Sequence, residues 1–405
     1  MTDIAAPPYY DPYDFAIDED PYPVWRRLRD EAPVYYNEKY DFYALSRFDD
    51  VEAGLKDHAR FSSAKGTILE LIKANIQMPA GMFIFEDPPS HDAHRSILSR
   101  VFTPKKVASL EPEIRKFCAE SLGAIKESGV DRFDFMTALA AFMPMRVMGM
   151  LMGVPEEDQA RVKATIDSGL QLEEGKMPSY EEMQNMGNAS LKSLFNDYLD
   201  YRLQNPSDDV MSHLIAVEFE DGDGVRRKLS REEVLGYVDL LAAAGNETTT
   251  KLISWWGKLL SDNPDQRRLL VAEPELCKNA IEEALRYEAP SPVNSRYVTD
   301  DAQFHGQTIP KGSVVALLNA SGNRDERHFA DPDKFDVTRK IDHHLSFGYG
   351  LHFCLGAALA RLEGRVALEE MLKLFPDWTV DEANAVRART TTVRGWASLP
   401  IYVGS

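Results

Sequence analysis

Phe347-Gly348-Tyr349-Gly350-Leu351-His352-Phe353-Cys354-Leu355-Gly356 is the stretch from which the rest of the chain can be read. Three glycines surround one cysteine. Directly downstream, Leu355, Leu359, Leu362 and Val366 recur at the spacing of an amphipathic helix that stops at Pro376. The glycines let the backbone turn tightly and approach a flat object. A cysteine at a helix N-terminus meets free N–H groups and the positive end of the macrodipole, and both favour a thiolate. Taken alone, a cysteine on such a turn is more often a small, inert, buried side chain. Zinc is another alternative, because His343, His344 and His352 lie close by. Structural zinc usually takes paired cysteines, however, and no C-x-x-C occurs. The pair Gly348 and Gly350 is too short for a dinucleotide fingerprint.

Upstream of this stretch, residues 321–347 carry many turn formers and no clear period. A loop of that length is usually functional. Before it, strands are expected over 304–309 and 314–319, joined by the turn Pro310-Lys311-Gly312. A helix over 274–287, ending before Pro290, puts Glu283 and Arg286 on one face at i,i+3. The best-signalled helix is longer. Ser230 and Glu233 form a capping box. Val234, Leu235, Val238, Leu241 and Leu260 supply its apolar positions, and Asp262-Asn263-Pro264 ends it. From Arg231 to Asp262 it would extend about 48 Å, far enough to cross the whole molecule. Its middle, Ala242-Ala243-Ala244-Gly245, is nearly bare and leaves room for something to lie against it. Thr248 can bond back to the i−4 carbonyl and bend the helix. Glu247 beside it is costly in a core without a purpose.

Closer to the N-terminus, Asp87-Pro88-Pro89 starts a helix on which His91 and Arg95 lie one turn apart. Two donors so placed can grip a carboxylate. His94 reads as part of a solvated face. Residues 68–85 are conspicuously apolar, with Ile68, Leu69, Leu71, Ile72, Ile76, Met78, Met82 and Phe83. Before residue 61 a helix over 22–31 precedes two aromatic, strand-like runs, Val34-Tyr35-Tyr36 and Phe42-Tyr43-Ala44-Leu45. The expected fold is mainly α with small β-sheets. It forms a single domain over 1–405, β-richer to about residue 61 and helical after it.

The net charge of −19 argues against nucleic acid, which needs a basic face. Three cysteines, Cys118, Cys277 and Cys354, are too few for a disulfide framework and fit a reducing compartment. No signal peptide is read at the N-terminus. The most membrane-like stretch, 137–154, is broken by Pro144 and Arg146 and spans poorly. The expectation is a cytoplasmic protein without membrane insertion. The methionines 143, 145, 148, 150 and 152 read as core packing rather than a copper site. Lys105, Lys106, Arg361 and Arg365 read equally well as a basic docking face or as solvated helix surface.

F-G-x-G-x-H-x-C-x-G resembles the haem-binding signature of the cytochrome P-450 family, and every defined position matches. Glu283-Ala284-Leu285-Arg286 is similar to that family's E-x-x-R. Ala244-Gly245-Asn246-Glu247-Thr248-Thr249 is similar to its A-G-x-[DE]-T-T, and the segment Asp87 to Arg95 to its D-P-P-x-H-x-x-x-R. The resemblance runs over nearly the whole chain. It implies haem b (iron protoporphyrin IX) between the long central helix and the helix after the cysteine loop, with Cys354 as iron ligand. It implies propionate contacts from His91, Arg95, Arg296 and His352. It also implies that Glu247 relays protons while Thr248 hydrogen bonds the bound oxygen. The Glu283/Arg286 pair is structural in the family. Its third partner here is Lys334 or Arg339. The substrate pocket is expected to involve Met82, Phe83, Phe85, Leu241, Ala244, Val293, Asn294 and Trp396.

The implied reaction is insertion of one oxygen atom of O2 into a lipophilic small molecule, by hydroxylation or epoxidation. Electrons would come from a ferredoxin and its NAD(P)H-dependent reductase, since no fused reductase domain is read. A peroxide-driven peroxygenase and a non-catalytic haem or gas-binding protein are the rival readings.

Overall fold

The computed structural model describes residues 6–404, except 79–80, 169–171, 180, 183–188 and 391. Its axis is the helix Arg231–Asp262, with the boundaries that its capping signals predict. The Ser230 hydroxyl accepts from the Glu233 N–H at 3.2 Å, and the Glu233 carboxylate accepts from the Ser230 N–H at 2.7 Å. Much of this helix is buried on several sides, as expected of an element that crosses a core. Around it pack the helices Glu111–Ser128, Phe142–Met152, Cys277–Tyr287 and Ala357–Leu374, all joined in one apolar cluster. Met143, Met148 and Met152 are buried in that cluster, so these methionines do pack the core.

The β part sits to one side. A five-stranded sheet has the order Val34–Asn37, Phe42–Leu45, Val314–Leu317, Asn294–Val298, Phe61–Ser62. Only the contact between Phe42–Leu45 and Val314–Leu317 is parallel. Of the two aromatic runs near the N-terminus, Val34–Asn37 pairs with Phe42–Leu45, and Phe42–Leu45 pairs in turn with a strand that arrives more than two hundred residues later. The remaining sheets are small. One joins Trp378–Val380, Pro400–Val403 and Arg132–Asp134, and another is the hairpin of Val386–Arg389 with Arg394–Ser398.

Three expectations change. Residues 304–309 are not one strand but part of a hairpin, Ala302–Phe304 with Gln307–Ile309. His305 and Gly306 both take positive φ, 50° and 75°, as a two-residue turn between twisted strands requires. The strand expected over 314–319 ends at Leu317, and a helical turn, Asn319–Gly322, replaces its last part. The short strands after Trp378 were not expected at all. Residues 137–154 form a π-helical turn, Met136–Ala140, followed by Phe142–Met152. Among the described residues no single helix is long and apolar enough to cross a membrane.

Candidate active site

Cys354 lies between a 3-10 turn, Gly350–His352, and the helix Ala357–Leu374. Its N–H donates to the Phe347 carbonyl at 2.9 Å, which closes the glycine loop. Gly348 and Gly350 need their glycines, with φ of 68° and 70°. A Cβ on Gly350 would also stand 3.2 Å from the Leu55 carbonyl oxygen. Gly356 differs: its φ of −81° suits any residue, so the turn does not depend on it. The Cys354 side chain is open to solvent, yet burial pushes its thiol up. Both hold for a group on the wall of an interior cleft. The N–H groups of Gly356 and Ala357 and the cations Arg95 and Arg361 pull the thiol the other way.

Beside the cysteine stands a group of imidazoles and guanidiniums, three of whose ring nitrogens have no hydrogen-bond partner. His91 is fully buried, and its Nε2 has no hydrogen-bond partner. Neither ring nitrogen of His352 has one, and the two imidazoles lie 4.5 Å apart. Burial, with Arg296, His91 and Arg95 nearby, pushes His352 down to about 3. Arg296 is 3% exposed. Its guanidinium donates to the Ser295 carbonyl at 2.8 Å, and burial lowers it to about 10 against the partial relief of Asp87. Arg95 donates to the Phe353 carbonyl at 2.5 Å and so reaches the cysteine loop. Buried donors are normally paired. His91 Nδ1 is met by the Asp92 carboxylate at 3.0 Å, but His91 Nε2 and both His352 nitrogens stay unpartnered beside two guanidiniums, and such a group suits a dicarboxylate, which is what haem propionates present.

The long helix packs against the helix that follows the cysteine. Ala243 and Ala244 are exposed in the middle of an otherwise buried helix. Gly245 is bare for another reason: a Cβ there would stand 2.6 Å from the Met148 sulfur, so that space is already filled. The Thr248 hydroxyl donates to the Ala244 carbonyl at 2.7 Å, and the helix continues unbroken. Glu247 is 6% exposed.

The helix Cys277–Tyr287 holds Glu283 and Arg286, both with no exposed surface. The guanidinium binds the carboxylate at 2.7 and 2.8 Å and also donates to the carbonyls of Asn323 and Pro332. Arg339 is the third partner, with its Nε 3.2 Å from Glu283. Lys334 contributes only its carbonyl, which accepts from Arg339 and Arg286. The irregular loop 321–347 is thus hung on one buried carboxylate. Arg361 is paired with Glu282, and Arg365 with Glu111 and Glu369, which leaves Lys105 and Lys106 as the exposed part of that basic group.

The expected pocket residues are dispersed. Phe83 is buried against Tyr237 and His91, within the turn Phe83–Phe85 that follows Met82. Met82 and Phe85 are half-buried, Leu241 is buried and Ala244 is open. Val293 lines a cavity of about 90 Å³, together with Pro292, Thr392 and Val393, and Asn294 begins the adjoining strand. Trp396 packs edge-on to Trp255, with Arg387 against both rings. Thr392 and Val393 were not anticipated, and no periodicity marks them. His94 is not on a solvated face: it is 7% exposed and hydrogen bonded to Glu86 at 2.7 Å.

The family description "Cytochrome P450" matches residues 33–400. A putative cytochrome P450 123 of Mycobacterium tuberculosis is 38% identical over 97% of this chain and 96% of its own. A vitamin D(3) 25-hydroxylase of Pseudonocardia autotrophica is 35% identical over 95% of this chain and 94% of its own. Among solved structures, a mutant of P450 EryK in complex with erythromycin B superposes with a TM-score of 0.87 at 30% identity, covering 97% of this chain and 98% of that one. CYP109E1 of Bacillus megaterium in complex with testosterone gives 0.87 at 28%, covering 96% and 99%. A match along almost the full length, with the orphan donors gathered round an open cysteine, leaves one assignment: the chain belongs to the cytochrome P450 family, monooxygenases whose cofactor is haem b.

Proposed function

We propose that this enzyme hydroxylates or epoxidises a lipophilic small molecule, with electrons from a ferredoxin and its NAD(P)H-dependent reductase, in the cytoplasm. The observation that carries this reading is the open pair Ala243 and Ala244 beside Thr248 on the central helix, together with an open cysteine at the start of a helix that packs against it. In this reading Cys354 ligates the iron, while His91, Arg95, Arg296 and His352 hold the propionates. Haem b, when bound, supplies the oxygen-activating chemistry, and a thiolate ligand favours O–O cleavage.

The remaining work belongs to the chain. Ala243 and Ala244 would leave room for a substrate beside the central helix. Thr248 Oγ1 is a donor held one turn from its acceptor at Ala244, and rotation about its first side-chain bond turns that hydrogen bond outward. Glu247, one residue earlier, exchanges protons with the water that Thr248 orders. The apolar segment around Phe83 and the wall at Val293 exclude bulk water and select apolar molecules. Relatives with steroid-like, macrolide and fatty-acyl compounds in their names support a lipophilic substrate.

The test is reconstitution with haem, a ferredoxin, its reductase and NADH under 18O-labelled O2. Candidate compounds are first screened for a spin-state shift. Incorporation of one labelled atom into product, coupled to NADH use, is the expected result. Turnover with hydrogen peroxide but not with the electron chain would replace this reading with a peroxygenase. Gas binding without turnover by either route would replace it with a binding protein.

A further inference from the structure

His94 occupies an unusual position. It is 7% exposed, and its Nδ1 lies 2.7 and 3.0 Å from the two oxygens of Glu86. Its Nε2 has no hydrogen-bond partner and points to a second carboxylate, Glu233, 3.6 Å away. Glu86 ends the apolar segment that carries Met82, Phe83 and Phe85, whereas Glu233 belongs to the first turn of the central helix. Glu233 is itself fixed. Arg227 grips both of its oxygens at 2.8 and 2.9 Å, and the Ser230 N–H donates to it. Burial pushes Glu233 up, but these partners outweigh it and hold it below the ordinary carboxylate range, so it is charged.

A second contact joins the same two elements. Gly81, with φ of 82°, lies so close to the central helix that a Cβ there would stand 2.8 Å from the Glu233 Cα. Tyr237, one turn further along, donates to the His94 carbonyl at 2.9 Å and packs against Phe83. Phe219, under the Arg227 guanidinium, closes the other side of the imidazole. The groups around His94 thus come from its own helix, from residues 81–86, from the central helix and from the strands Glu218–Glu220 and Arg226–Lys228. Of the charged ones, two are carboxylates pulling toward the imidazole and one is an arginine already committed to Glu233.

We infer that His94 is the positioning residue that clamps residues 81–86 onto the start of the central helix, and so sets how readily ligands reach the haem. This rests on the reading that Met82, Phe83 and Phe85 wall the pocket. An imidazole suits the task because its nitrogens lie on opposite sides of the ring, so that Nδ1 bonds Glu86 while Nε2 faces Glu233 on the other element. A leucine would fill the space without tying either element. A glutamine would keep a donor for Glu86 but could not reach both.

The probe is 4-phenylimidazole, followed by the Soret shift on binding to the haem-loaded protein in stopped flow. His94→Leu is expected to raise the association rate about tenfold, and His94→Gln by less. Glu86→Gln should reproduce the leucine variant, and the double variant should add nothing further. The carbon monoxide spectrum reports whether the haem site survives in each. If His94→Leu does not hold haem, Glu86→Gln carries the same test. Unchanged association rates in a variant with an intact carbon monoxide spectrum overturn the clamp. Phe85→Ala separates the two readings. If it alters azole binding and His94→Leu does not, the clamp alone falls. If neither does, residues 82–85 are not the wall and both fall.

Discussion

The Thr248 hydroxyl is satisfied by its own helix, through the Ala244 carbonyl at 2.7 Å. Removing it leaves a carbonyl that helix geometry already serves, so Thr248→Ala should fold, bind haem and bind substrate normally. In the proposed reading it would lose the donor that orders water beside Glu247. Coupled product per NADH should fall at least about tenfold, with hydrogen peroxide appearing in its place. Fully coupled turnover would remove Thr248 from the proton path. Cys354→Ala should abolish the long-wavelength Soret band of the reduced carbon monoxide complex, and retention of that band would refute the ligand assignment. Arg95→Ala deletes a charge-assisted donor and should weaken haem retention about tenfold, read by transfer to apomyoglobin. These residues were legible in the sequence because each is fixed by its own few neighbours. His94 was not, because Glu86 and Glu233 reach it from two other elements, and neither spacing follows a helical period.

At the scale of elements, the buried group of Glu283, Arg286 and Arg339 ties the helix Cys277–Tyr287 to the loop before the cysteine. Glu283→Gln leaves two guanidiniums without a counter-charge in a dry site. Loss of one member of such a group costs about 3–5 kcal/mol, and the urea midpoint should fall accordingly. Arg339→Ala should cost less, since Arg286 keeps its bidentate contact. The pair was visible as E-x-x-R, but its third member was not. Lys334 and Arg339 are equally near in sequence, and only the fold of an aperiodic loop chooses between them. The same helix predicts a pH dependence. Burial pushes Glu282 up, yet Arg361, which binds it at 2.6 and 2.9 Å, and His344 bring it down to about 2. Burial keeps His344 below the ordinary histidine value of 6.5. The unfolded chain binds a proton on each group before the folded one does, so stability falls with pH in both cases. It should decline below about 6.5 through His344, then again from 4.5 toward 2 through Glu282. Glu282→Gln should erase the lower stage, worth about 3 kcal/mol at neutral pH.

Across the whole molecule, the helical part was readable because capping and period are local, and the central helix begins and ends where its signals stand. The β part was not. The strands Phe42–Leu45 and Val314–Leu317 pair across most of the chain, and the strands from Trp378 on, three to five residues each, have no alternation long enough to detect. In the proposed reading both parts would meet at the cofactor: Arg296 comes from the sheet, His91 and Arg95 from one helix, and His352 from the cysteine loop, so an anion held among them would tie separate elements together. Haem removal should therefore loosen these elements selectively. The loaded protein should exceed the haem-free protein in unfolding free energy by at least about 4 kcal/mol, as expected for a ligand a thousandfold above its dissociation constant. Hydrogen exchange should localise the difference to residues 91–95, 243–248, 294–298 and 347–356. The helix Cys277–Tyr287, whose charges are satisfied by the protein itself, should exchange equally slowly in both forms. Uniform protection across the chain would mean that the donors are paired without the cofactor, and the propionate assignment would fall with that result.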